Sequence, residues 1–197
     1  YLKMTDTTIF EKIIKGEIYG LNEYNLFTKI TSNQEIDFSR YNYFHASYKA
    51  SNEMKDNAKK IVNTALTLHP RNLLLNQYKI DLEKNKNISV FNCSKEGDVV
   101  AEILYIASNA LSSQSIYPLS NFYLNLAKYL NEDFLSYDTL LAENYFKIGN
   151  LNKAKKIYGN LSSKGEAFNW YSSKQLAKIY IQEDNKSEAL KILNKSY

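Results

Sequence analysis

The chain has 197 residues and a net charge of +4, from 25 basic and 21 acidic side chains, and 44% of it is hydrophobic. That length can bury about 70% of the unfolded surface without staples, and a single cysteine, Cys93, excludes an internal disulfide framework. Six Gly and two Pro are too few for a turn-rich β architecture, and the basic residues are scattered among acidic ones rather than gathered into the stripe of a nucleic-acid binder.

In chain order, residues 1–38 carry two short helical patterns, 8–15 and 21–28, read as a cap or a degenerate repeat. The chain opens at Tyr1 rather than Met, as expected of a piece of a longer protein. The opening Ile9-Phe10-Glu11-Lys12-Ile13-Ile14 resembles the start of histidine-triad nucleotide hydrolases. That chemistry needs clustered histidines, and this chain has only His45 and His69, far apart. Residues 39–86 read as a helix pair followed by an extra helix. Ala46 sits at the first crossing, and Ala58 and Ala65 are the small contacts of the second helix. Pro70 ends that helix because it has no N–H to give, and Asn72 caps the next. Residues 87–100 break the pattern and read as an irregular linker. In 101–134, Ile103, Leu104, Ala107 and Leu111 keep helical spacing, with Ala107-Ser108 at the crossing and Ser120 and Ala127 on the second helix.

Residues 135–169 and 170–197 repeat one another. Leu141-Ala142-Glu143-Asn144-Tyr145 and Leu176-Ala177-Lys178-Ile179-Tyr180 lie 35 residues apart, as do Ala154 and Ala189 in the helices that follow. Gly149-Asn150 is the turn between helices, where left-handed geometry is cheap for glycine. A period of about 34 residues with small residues at fixed positions resembles the tetratricopeptide repeat. The last copy stops short of a full period. Val99-Val100-Ala101-Glu102-Ile103-Leu104-Tyr105 and Ala127-Lys128-Tyr129-Leu130 resemble alphaproteobacterial repeat proteins of that kind, many of which are exported.

The resemblance implies an all-α fold: a tetratricopeptide-like α-solenoid of antiparallel helix pairs wound into a right-handed superhelix. It implies a non-catalytic interaction scaffold that takes a peptide or partner helix in its concave groove. An architectural, self-associating segment is the alternative. The family's groove is built from the first helix of each pair. Carried over residue by residue, that gives Tyr105 and Asn109, then Thr139, Glu143 and Phe146, then Lys174, Lys178 and Ile181. Lys174 and Lys178, four apart, point the same way and suit an acidic group or chain terminus. The paired Lys/Asn clamp of chaperone-tail binders is not reproduced, since Tyr43 and Ser47 stand in those places. Two dispersed histidines and one cysteine make no zinc pattern, and no phosphate-cradling loop is present. No catalytic site, metal, cofactor or nucleic-acid partner is therefore expected, nor a membrane span, since no run reaches about 18 apolar residues.

Overall fold

The computed structural model describes residues 39–86, 91–92 and 95–196. The expected helices over 8–15 and 21–28, together with Cys93, lie outside the described residues. Every regular element among those described is an α-helix: α1 (Ser39–Ser51), α2 (Lys55–Leu68), α3 (Leu73–Glu83), α4 (Glu96–Ser113), α5 (Tyr117–Leu130), α6 (Ser136–Lys147), α7 (Leu151–Leu161), α8 (Glu166–Gln182) and α9 (Lys186–Ser196). None of them is long and apolar enough to cross a membrane. The chain divides into two compact units between Val99 and Val100.

In the first unit α1 is the central element. Tyr41, Tyr43, Phe44, His45, Ala46, Ser47 and Ala50 are all buried, so little of its circumference meets water. A helix covered on most sides shows no amphipathic stripe. By contrast α2 buries one stripe, Ala58, Val62 and Ala65. Asn72 starts α3 as expected, its Oδ1 accepting from the Leu75 N–H at 3.0 Å. The α3 face carrying Leu75, Tyr78 and Leu82 is buried, and Tyr78 meets Tyr43 of α1 edge to face at 4.8 Å. Phe91 stacks on Phe44 at 4.2 Å. α4 begins at Glu96, inside the 87–100 segment read as a linker. Glu96 and Asp98 occupy its first turn, where carboxylates oppose the positive end of the helix dipole. The Asp98 carboxylate also accepts from the Asn92 N–H at 2.8 Å.

The second unit is three helical hairpins, α4–α5, α6–α7 and α8–α9. Each first helix ends the same way. Residues Ser115, Gly149 and Asp184, 34 and then 35 positions apart, take positive φ of 63°, 76° and 57°. The next N–H reaches back to a carbonyl five residues earlier: Ile116 to Leu111 at 2.9 Å, Asn150 to Tyr145 at 2.8 Å, Asn185 to Tyr180 at 2.7 Å. This satisfies carbonyls that a helix end would otherwise orphan, and so short a turn leaves the second helix antiparallel to the first. Asn150 and Asn185 then cap α7 and α9, their Oδ1 atoms accepting from Lys153 and Glu188.

Small residues sit where the helices cross. Ser108, Ala142 and Ala177 on the first helices are buried, as are Ser120, Ala154 and Ala189 on the second. In the α4–α5 hairpin the buried contact is Ser108, while Ala107 beside it is only half-buried. The reason is a bond: the Ser120 hydroxyl donates to the Ser108 carbonyl at 2.8 Å, which draws the two backbones together at the serine.

Candidate functional site

The first helices of the three hairpins are neighbours. α4 is tied to α6 by the Ser112 hydroxyl, which donates to Asn144 Oδ1 at 2.6 Å. Asn144 is almost fully buried, and its Nδ2 donates to Ser120 Oγ at 2.8 Å and to Asn121 Oδ1 at 2.9 Å. One amide thus holds α4, α5 and α6 together, and a buried polar group is stable only when bonded in this way. α6 is tied to α8 by the Tyr171 hydroxyl, which donates to the Glu143 carboxylate. Tyr158 of α7 packs edge to face on Tyr171 at 6.0 Å.

The eight residues expected to line the groove fall into two classes on this framework. Tyr105 is half-buried in an aromatic cluster with Phe134 and Tyr137, at 6.4 and 5.4 Å, so its ring is taken up by packing within the unit. Asn109 is also half-buried, its Nδ2 turned back to the Tyr105 carbonyl at 3.0 Å. The Thr139 hydroxyl likewise donates to its own helix, at the Ser136 carbonyl, and Phe146 is half-buried. Glu143, Lys174, Lys178 and Ile181 are exposed. Lys174 lies over the Trp170 ring at 5.6 Å, a cation–π contact. Trp170, Lys174, Lys178 and Ile181 share one face of α8 by their spacing.

Two side chains that the sequence reading did not single out as groove residues belong here. Tyr171 is one. Burial first, and the Glu143 carboxylate second, push its phenol far above the ordinary range and raise Tyr158 as well. The hydroxyl is therefore protonated at any physiological pH and serves as a fixed donor. Trp170 is the other. It is half exposed and offers an aromatic ring beneath the Lys174 ammonium. Its four-residue spacing to Lys174 was a usable signal, whereas Tyr171 meets a partner 28 positions away that no local pattern reveals.

In the first unit the corresponding places are closed. Tyr43 and Ser47 are buried. The Tyr78 ring of α3 covers Tyr43, and the Tyr78 phenol, pushed up to about 12 chiefly by burial, is hydrogen-bonded to the Ser47 side chain. There α3 covers the face of α1 that carries Tyr43 and Ser47.

An open depression of about 450 Å³ at the α6–α7 turn is lined by Ile148, Gly149, Asn150, Leu151, Asn152 and Glu183. Its one carboxylate is already held by Lys155 at 2.8 Å. Among the described residues no three His, Cys, Asp or Glu gather as metal ligands would. Compared with known proteins, the chain matches no family model and no curated relative.

Proposed function

We propose that residues 100–196 form a tetratricopeptide-type array whose first helices, α4, α6 and α8, hold a short peptide or a partner helix. The observation that carries this reading is the coincidence of three independent recurrences at the same 34- and 35-residue steps. The left-handed turn residues repeat at those steps, as do the small buried residues of both helices. Hairpins stacked at a constant step present their first helices side by side, and such a surface is extended enough to bind a segment of chain.

The chemistry of the surface indicates the class of ligand. Trp170 and Ile181 supply apolar contact, Phe146 and Tyr105 a half-buried wall, and Lys174 and Lys178 two cations on one helix face. Glu143 is engaged with Tyr171. An amphipathic segment carrying an acidic side chain or a free carboxyl end complements that set. In the alternative reading the array is architectural and its groove is filled by its own kind.

A displayed library of random peptides, panned on the 197-residue chain, tests the proposal. Enrichment of acidic, apolar peptides that lose binding tenfold or more on K174E/K178E is the expected result. Enriched peptides indifferent to that substitution would place the binding surface elsewhere, and no enrichment at all would remove the reading.

A further inference from the structure

The outer face of α5 carries large apolar side chains that the fold leaves uncovered. Leu119, Phe122, Leu126 and Tyr129 are 42%, 56%, 39% and 88% exposed, and Ile116, just before the helix, is 43% exposed. The inward residues Ser120, Asn121, Leu124 and Ala127 are buried. The outward set is spaced three, four and three residues apart, the a/d spacing of helices that pair. It occupies an arc of about 80° opposite the buried stripe. Phe122 and Tyr123 lie against each other at 5.7 Å at one side of the stripe.

We infer that this face joins two copies of the chain through antiparallel α5 helices. Three observations select that occupant. First, Pro118, Leu119, Phe122, Asn125, Leu126 and Tyr129 carry no charge. The one basic side chain of the helix, Lys128, is held by Asp138 at 2.6 Å. A second copy therefore meets no like charge across the patch. The same lack of free cations makes an anionic membrane surface a poor match, because interfacial helices rely on basic residues beside their apolar face. Second, large side chains of this kind offer on the order of 200 Å² each, so the five leave about 500 Å² open. Two copies face to face then hide at most about 1,000 Å², the threshold of a specific interface. Third, Glu132 and Asp133 follow the helix directly and are exposed. Parallel pairing brings the four carboxylates together, whereas antiparallel pairing sends them to opposite ends. The symmetric pairing sets Phe122 against Leu126 of the partner copy and Leu119 against Tyr129, a self-complementary two-fold contact.

This contact uses the second helix of its hairpin, so it stands or falls apart from the peptide groove on the first helices. Sedimentation equilibrium of the full chain at micromolar to hundred-micromolar concentration tests it, beside the double substitution F122E/L126E. The wild type is expected as a dimer and the variant as a monomer, its dissociation constant weakened at least tenfold. Both positions are exposed, so circular dichroism and the melting temperature are expected to be unchanged in the variant. A wild-type monomer throughout that range overturns the inference, as does a variant that stays dimeric. A monomer that floats with anionic vesicles assigns the stripe to a membrane surface instead, and one that pairs only with an added amphipathic helix assigns it to a foreign partner. Either result contradicts the self-pairing.

Discussion

Asn144 is the residue on which three helices of the second unit converge. It gives both amide protons to Ser120 and Asn121 and takes one from Ser112, at a site that water does not reach. Truncation strands two buried partners, Ser120 and Asn121, and each unsatisfied buried group costs about 1–3 kcal/mol. Asn144→Ala is therefore expected to lower unfolding stability by about 3 kcal/mol or more in urea melts. A loss below about 1 kcal/mol contradicts the network. His45 makes the matching prediction for the first unit. Burial first, and the nearby Lys49 second, lower its pKa to about 4 from the ordinary 6.5. Between those values the unfolded chain binds a proton that the folded chain refuses. Stability is complete above about pH 6.5 and falls as pH drops toward 4, by up to about 3 kcal/mol. His45→Gln is expected to remove that part of the slope, read as the difference between the two melting profiles. Parallel profiles for wild type and variant contradict the assignment. At this scale the sequence was partly legible. Ala46, Ala142, Ala154, Ala177 and Ala189 are buried as their spacing required. Ser108 took the place shared with Ala107 because a hydroxyl twelve residues on bonds its carbonyl, a contact no pattern within one helix encodes.

At the scale of helices, the turns carry the recurrence more plainly than the helices do. Gly149 was legible as a left-handed residue because glycine pays no Cβ penalty there. Ser115 and Asp184 adopt the same conformation with side chains that oppose it, so their positions were readable only by counting from Gly149. The opposition has a measurable consequence. A non-glycine residue held at positive φ is strained, although Asp tolerates it better than most. Asp184→Gly is expected to raise stability by about 0.5–1 kcal/mol, from about 1–2 kcal/mol relieved at positive φ less the entropy that glycine adds to the unfolded chain, while Gly149→Ala lowers it by about 1–2 kcal/mol. Denaturant midpoints of the two variants check the pair, and a loss of stability in Asp184→Gly contradicts the account of the turn. α1 was placed by counting repeats rather than by a face, and periodicity failed at the start of α4. α1 is covered on most of its circumference, so its pattern carries no face. At α4 the acidic first turn, Glu96 and Asp98, outweighed Gly97 beside it.

For the molecule as a whole, the proposed groove belongs to the second unit. In the first unit α3 lies against Tyr43 and Ser47. In the second, Glu143, Lys174, Lys178 and Ile181 remain at the surface, on two of the three helices proposed to take a ligand. Four of the eight candidate residues were legible as exposed positions, from their place in the repeat rather than from an apolar stripe on α6 or α8. Tyr105, Asn109, Thr139 and Phe146 were not, since what covers or engages them comes from neighbouring helices or from their own backbone. The measurement that bears most directly on this account is an amide NMR titration of the chain with a peptide enriched on it. Shifts confined to α4, α6 and α8, strongest around Trp170, Lys174 and Lys178, are the predicted result; shifts confined to α5, α7 and α9, or spread over the first unit, would contradict it.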